Sequence, residues 1–517
     1  MKIVEMSIVG FKRFEEFRIK FNDGWTVIVG ENEVGKSTII EALDIVLNRR
    51  IFNKEDIALS KYFNKKVVEN FYVTGLEKDL PKISISVHLY LDENNITGLN
   101  FSGLGYIGAS REEKCGISFE FAFDEDFKND INIKEYAENR VIPIEYYKAS
   151  WTTFSGKSYK PQMLPMKCIF LDTTQNKNDL YSNYAKKIYK DKIDVEKRRT
   201  ISSGFNKIIS KFQKEYKSEL EIQEDKNIGL DTNKMDISKL VDIYENNISV
   251  QSMGKGKENI IKTEIALSDN IFDVVCIEEP ESHLSHSNAR ILLDCIKKST
   301  NEQLILTSHS SLIVSRLNIK NIVWINDSQA SSLSSLDYKI GRYFQKIDNL
   351  DILKFILSNK VILVEGAAEY IILPSIFEKI FKQTLDECGI EIISMGSVSY
   401  ENYRGISDVL GNKKVVVITD NDKKIDKTEV DEKFAVFCDS SLDNWTLEAA
   451  FYNNNVKYFD ELYKNKKTES EYKGEEYPKA LAHMLKNKTE NALWIEENCS
   501  DLTIPEYIKD ALEWIRR

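Results

Sequence analysis

The run GENEVGKST, residues 30–38, constrains this chain more than any other feature. It follows a short apolar segment, WTVIVG, and opens STIIEALDIVL, whose apolar residues recur at helical spacing. Strand, glycine loop and helix in that order match the GxxxxGK[ST] phosphate loop. Gly30 and Gly35 let backbone N–H groups curl round phosphates, and Asn32 belongs to the same cofactor-binding loop. Lys36 reaches the β/γ oxygens and Ser37 holds Mg²⁺. Thr38 follows in the first helical turn, where the helix dipole adds to anion binding. The chain must therefore contain an α/β nucleotide-binding unit.

Such a unit also needs an acidic strand end. Residues 276–280, CIEEP, supply it: Glu278 would stabilise the Mg²⁺ shell and Glu279 would polarise the attacking water. LILTSHS puts His309 at another strand end, placed to sense the γ-phosphate. The wide separation of Lys36 from Glu278 implies a large insertion between two lobes. From about 175 to 247 the chain is Lys/Glu/Asn-rich, proline-free and helical in period, as an inserted helical arm would be. SMGKGKEN, residues 252–259, then opens a helix with small residues and forms a second anion nest. Ser252 and Gly254 would serve the ATP of another subunit, which predicts a head-to-head homodimer or higher even oligomer.

A second set of acids lies further on. VILVEGAAE places Glu365 at a strand end and Glu369 four residues later, on the same side if a helix starts at Gly366. VVVITDND ends another buried strand with Asp420 and Asp422, which strand periodicity puts on one face. Ends of neighbouring parallel strands share an edge, so these acids should converge and take Mg²⁺ or Mn²⁺. Two such ions suit phosphodiester chemistry. Glu448, in WTLE, can add a carboxylate. Lys488 can stabilise transition-state charge, with Lys479 and Lys486 competing for that role.

The chain of 517 residues should hold two to four domains of roughly 100–200 residues. A charge balance of 71 Lys/Arg against 82 Asp/Glu, net −11, repels nucleic acid in bulk, so DNA needs a local basic patch or metal ions. Residues 186–217 provide one, with eleven Lys/Arg against four acids. Seven scattered cysteines without CxxC argue against a disulfide framework or structural zinc. With neither a signal-peptide core nor a run of about 20 apolar residues, a cytoplasmic protein without membrane contact is expected.

GENEVGKST, IEEPESHL, TSHS, LVEGAAE and TDND, in this order, resemble the OLD (overcoming lysogenization defect) family, an ABC-type ATPase followed by a Toprim nuclease domain. The resemblance implies an ATPase N-terminal lobe over 1–174, an inserted arm over 175–247, a C-terminal lobe over 248–345 and a Rossmann-like Toprim domain over 346–517. It carries Glu365, Glu369, Asp420 and Asp422 over as metal ligands, and Glu448 and Lys488 from a TLE and a KxxxA pattern. It implies an ATP-regulated, metal-dependent DNA endonuclease of anti-phage defence, Gabija-like or retron-associated, with a possible partner protein or RNA–DNA. Two other readings compete: an SMC/RecF-like DNA-repair ATPase with a DNA-binding C-terminal domain, and a nucleotide-sensing scaffold docking a partner through 186–217.

Overall fold

The computed structural model describes the chain except residues 50–60, 92–99, 105–112, 174–177, 217–220, 224–225, 229, 231–235, 269–270, 300, 302, 327, 347–350, 397, 424–427 and 467–469. Lys217 of the basic stretch therefore lies outside the described residues. Two compact units form: Met1–His309 with Ile325–Ala330, and Ser310–Trp324 with Ser331–Arg517. Among the described residues no helix is long and apolar enough to cross a membrane.

In the first unit, four parallel strands run Cys168–Asp172, Val274–Glu278, Gln303–Thr307, Trp25–Val29. VVCIE and QLILT are buried at every position, as strands covered on both faces must be. An antiparallel sheet built on Lys2–Phe11, Phe14–Lys20, Ile83–Tyr90, Glu113–Phe123 and Tyr147–Thr153 makes the side layer. Gln303 joins the layers: its wholly buried amide accepts from Ile3 N–H at 2.8 Å and donates to Ile3 O at 2.9 Å and Asn22 O at 3.1 Å. The P-loop helix, Lys36–Leu47, ends against the side layer. Trp151 Nε1 donates to Ile45 O at 2.9 Å and Tyr159 OH to Leu47 O at 2.6 Å, satisfying carbonyls that have no partner within the helix.

Within 175–247 the α-helices among the described residues are Asn178–Lys192 and Val195–Glu215. Beyond them the chain forms short antiparallel pairs, Glu221–Gln223 with Lys226–Asn227 and Tyr244–Glu245 with Ile248–Ser249. The helical reading of the arm does not extend to these pairs: Asn246 and Asn247, both at positive φ, turn the second of them.

The second unit holds a five-stranded sheet ordered Ile390–Ser394, Lys360–Val364, Lys414–Ile418, Phe434–Phe437, Glu429–Val430, parallel except for the last strand. The tail helix Glu506–Arg516 buries Tyr507, Ile508, Ala511, Leu512 and Ile515, the apolar face its period predicts. Helices Tyr338–Lys346 and Ile352–Leu357 precede the Lys360–Val364 strand in the chain.

Lys413 is 1% exposed, and its Nζ donates to Ile356 O at 2.8 Å and Ser358 O at 2.6 Å, beneath the Ile352–Leu357 helix. Burial pushes its ammonium down to about 7 from 10.5. Between those values the unfolded chain holds a proton that the folded chain has released, so this group's contribution makes stability rise with pH. Lys413→Met should therefore flatten the melting temperature between pH 7 and 10.5 relative to wild type. Parallel curves for the two proteins would remove the buried-cation account.

Candidate functional site

The phosphate loop forms as its glycines require. Gly35 sits at φ 105°, and a Cβ there would come 2.5 Å from Phe14 Cζ. A Cβ at Gly30 would come 2.7 Å from Ile325 O. Lys36 Nζ donates to Gly30 O at 2.9 Å and Glu31 O at 2.6 Å. Burial pushes its ammonium down to about 8, with Glu279 and Glu281 opposing. Asn32 and Ser37 are exposed, and Thr38 is buried in the first helical turn.

The acidic strand end lies beside this loop. Glu278 is pushed up to about 7 by burial, while a hydrogen bond from Ser37 favours its carboxylate and Asp172, Glu279 and Glu41 raise it further. The two expected Mg²⁺ groups of the phosphate site are thus in contact. Glu279 stands at φ 44°, its N–H donating to Thr307 O at 3.2 Å and Oγ1 at 3.1 Å. Its Oε1 lies 3.3 Å from His309 Nε2, and its Oε2 accepts from Ser282 Oγ at 3.2 Å. Burial, then Lys36, lowers the His309 pKa, so the ring is neutral near pH 7 and the contact is polar rather than ionic.

Sequence reasoning gave Glu281 no role, yet it anchors the His309 turn. Its Oε1 accepts from Ser308 Oγ at 2.7 Å and from His309 N–H at 2.8 Å. Thr173 and Asn259 were also missed. Thr173 Oγ1 donates to Glu278 O at 2.6 Å and Glu279 O at 2.7 Å. Asn259 Nδ2 donates to Thr173 O at 3.4 Å and Ser282 O at 3.2 Å, linking the helix Lys255–Leu267 to the acidic strand end. Gly256 is forced by this packing, since its Cβ would meet His283 O at 2.7 Å. Ser252 and Gly254 are exposed just before that helix.

In the second unit, the parallel register sets Val364 beside Ile418, so Glu365 and Thr419 follow at one sheet edge. Glu365 Oε1 accepts from the Thr419 hydroxyl and from Asp420 N–H at 3.1 Å. The helix Ala367–Phe381 starts after Gly366, whose N–H donates to Glu369 Oε2 at 3.2 Å; Glu369 is buried. Asp420 Oδ1 accepts from Leu447 N–H at 3.0 Å, at the start of the helix bearing buried Glu448. Lys488 Nζ lies 3.0 Å from Glu448 Oε2. Of the three late lysines, Lys488 is the one paired with this carboxylate.

The electrostatics bind these groups together. Burial, then Glu365, Glu369 and Glu448, pushes Asp420 up to about 8, with Lys488 opposing. Burial also raises Glu369, helped by Glu448 and Glu365. For Lys488, burial acts downward but is outweighed by Glu448, Asp420 and Glu369, which raise its pKa. Tyr507 faces the same acids from the tail helix, and burial raises its phenol further.

Asp422 stands apart from the buried set. The strand ends at Ile418, so strand alternation does not extend to it; it is exposed, at φ 54°, with its N–H donating to Trp445 O at 3.2 Å. Asn421, between the two aspartates, is 1% exposed and donates to Asp439 O and Ser441 O, each at 2.8 Å. Among the described residues, no three His, Cys, Asp or Glu side chains are already drawn together tightly enough to hold an ion. Several of these oxygens are turned to N–H and O–H donors instead. The set is nonetheless oxygen-only and carries more negative charge than Lys488 offsets, which fits a hard divalent cation.

A family model for an AAA ATPase domain matches residues 1–273, more than half the chain. A model for the Toprim domain of overcoming-lysogenization-defect-like proteins matches residues 356–422, across the Glu365 and Asp420 strands. The chain belongs to the OLD family of ATPase–Toprim proteins. Similar solved structures include the C-terminal region of the Xanthomonas campestris pv. campestris OLD protein: 23% identity, 31% of this OLD-family chain and 92% of that one, TM-score 0.24. The SMC head domain of Thermotoga maritima is 12% identical over 64% of this chain and 99% of its own, TM-score 0.29. The Pyrococcus furiosus Smc head, bound to the C-terminal domain of ScpA, is 13% identical over 64% and 96%, TM-score 0.32. No curated protein matches the sequence.

Proposed function

We propose that this OLD-family ATPase–Toprim protein is a divalent-metal-dependent DNA endonuclease regulated by ATP and acting in anti-phage defence. The observation that carries the nuclease reading is the buried acid edge facing one lysine, with Asp420 pushed up to about 8 chiefly by burial and by its acidic neighbours. A group so disfavoured as an anion stays charged at neutral pH when a cation sits beside it. Glu365, Glu369, Asp420 and Glu448 would hold the ion from the buried side, and Asp422 would meet it from the exposed side. Mg²⁺ or Mn²⁺ would supply charge stabilisation at a phosphodiester. Lys488 would offset negative charge developing on the scissile phosphate. In the first unit, Lys36 and Ser37 would hold Mg-ATP with Glu278, Glu279 would orient water, and His309 would face the γ-phosphate. Ser252 and Gly254 would meet the nucleotide of a second copy. The test is supercoiled plasmid with Mg²⁺ or Mn²⁺, with and without ATP: cutting that EDTA abolishes supports the reading, and no metal-dependent cutting overturns it.

A docking role for the arm has its own support. Arg198, Arg199, Lys207, Lys211 and Lys214 line one hollow on the helix Val195–Glu215, and among the described residues no acid lines it with them. In an acidic protein this face is where a nucleic-acid backbone or an acidic partner would be held. Changing all five to glutamine should weaken DNA binding and reduce its salt slope by about one for each phosphate no longer neutralised. An unchanged slope would remove the arm from the DNA path.

A further inference from the structure

Beside the acid edge lies a cleft of about 820 Å³ lined by Lys423, Trp445, Tyr477, Asn444 and Asn453 among others. That volume suits a nucleotide-sized ligand. Its wall is continuous with the candidate nuclease site: Trp445 O accepts Asp422 N–H, and Leu447 N–H donates to Asp420 Oδ1. The Trp445 and Tyr477 rings lie 6.0 Å apart at 37°, and neither residue is fully buried. Lys423 Nζ lies 5.0 Å from the Trp445 centroid and 5.7 Å from that of Tyr477. It is held there by Glu475 at 2.6 Å, in an exposed pair that solvent screens and a ligand can displace.

We infer that this cleft is a stacking subsite for an unpaired nucleobase adjoining the phosphate at the acid edge. The inference rests on the nuclease reading in taking the ligand to be nucleic acid. An aromatic plane stacks on any base, but only where the base face is free, as in a single strand or a splayed end; within a duplex both faces are covered by neighbouring pairs. A base entering over Trp445 takes the ring face that Lys423 covers, and the ammonium is then free to meet the neighbouring phosphate. Asn444 and Asn453, joined by a 2.8 Å hydrogen bond, present polar groups on the cleft wall.

The test is fluorescence anisotropy with a fluorescein-labelled single-stranded oligonucleotide of about 15 nucleotides, long enough for one base to stack in the cleft while the strand runs on past the acid edge. EDTA is present, so that no strand is cut. Blunt duplex of the same sequence and a mononucleotide serve as competitors. Trp445→Leu keeps apolar packing without the π face and is expected to weaken single-strand binding by about 10-fold or more. Trp445→Phe should stay close to wild type, and blunt-duplex affinity should not move. Wild-type affinity in Trp445→Leu, or equal loss in Trp445→Leu and Trp445→Phe, would overturn the proposal. So would equal loss of duplex binding. A mononucleotide competing as well as the oligonucleotide would mean a free-nucleotide site and overturn the strand reading. Because the readout is binding, failure of plasmid cutting to depend on metal would sink the nuclease reading without touching this result.

Discussion

Replacing Asp420 by alanine is expected to lower metal-dependent plasmid cutting by about 10³-fold or more, the scale of losing a group that acts with others as a unit. Asp420 is the acid on which the others converge: Glu365, Glu369 and Glu448 all act on it, and its oxygen and N–H engage Leu447 and Glu365. Removing its side chain takes away a metal ligand and the acceptor that ties this strand end to the Glu448 helix, while the backbone N–H on Glu365 stays. The fold should survive. Alanine leaves Leu447 N–H without its carboxylate, a cost of about 1–3 kcal/mol for a buried donor, but it also relieves repulsion among the acids. Asp420→Asn keeps an acceptor for Leu447 N–H and separates folding from chemistry. Both variants should bind ATP like wild type, since these partners all belong to the second unit. Full cutting by folded Asp420→Asn and Asp420→Ala would refute the metal assignment.

What could be read from the sequence follows from how parallel sheets are built. WTVIV, VVCIE, QLILT, KVILV and KVVVI are mostly apolar runs because helices and loops cover both faces, and each ends on or within two residues of its functional residue. Glu365 and Asp420 meet because Val364 pairs with Ile418, a register that two runs of similar length make natural. What could not be read depends on tertiary contact. Asn421 looks like a spacer between two aspartates, yet it is the buried member, and its two bonds to carbonyls turn Asp422 outward. Glu281 looks like one more surface acid in a charged loop, and only the packed structure shows it holding Ser308 and His309. Lys488 could not be chosen from Lys479 and Lys486 by spacing, because the choice depends on which helix end faces Glu448. After Tyr216 the arm's composition still favours helix, yet the described residues pair as short antiparallel strands, Glu221–Gln223 with Lys226–Asn227 and Tyr244–Glu245 with Ile248–Ser249, the second because Asn246 and Asn247 at positive φ turn the chain back on itself.

Changing Glu279 to glutamine should slow ATP hydrolysis by about 10²–10³-fold, within the range for loss of a general base, while leaving ATP binding intact. The substitution preserves shape where shape is demanding. Glu279 holds a left-handed backbone, φ 44°, fixed by its N–H on Thr307 and by Thr173 Oγ1 on its carbonyl at 2.7 Å. Glutamine keeps those backbone bonds and an oxygen for Ser282, and loses only the charge and the proton-accepting oxygen. The neighbouring acid should behave differently. Glu278 contacts Ser37, so Glu278→Gln should weaken Mg-ATP binding itself. Unchanged hydrolysis in Glu279→Gln would transfer the base role away from this residue. With hydrolysis blocked, the same protein also reports how ATP acts on cutting, because it holds the nucleotide that Lys36→Ala should fail to bind. If bound ATP restrains the nuclease, Glu279→Gln with ATP should cut less than Lys36→Ala; if bound ATP activates it, the order reverses. Equal cutting by the two would overturn ATP regulation.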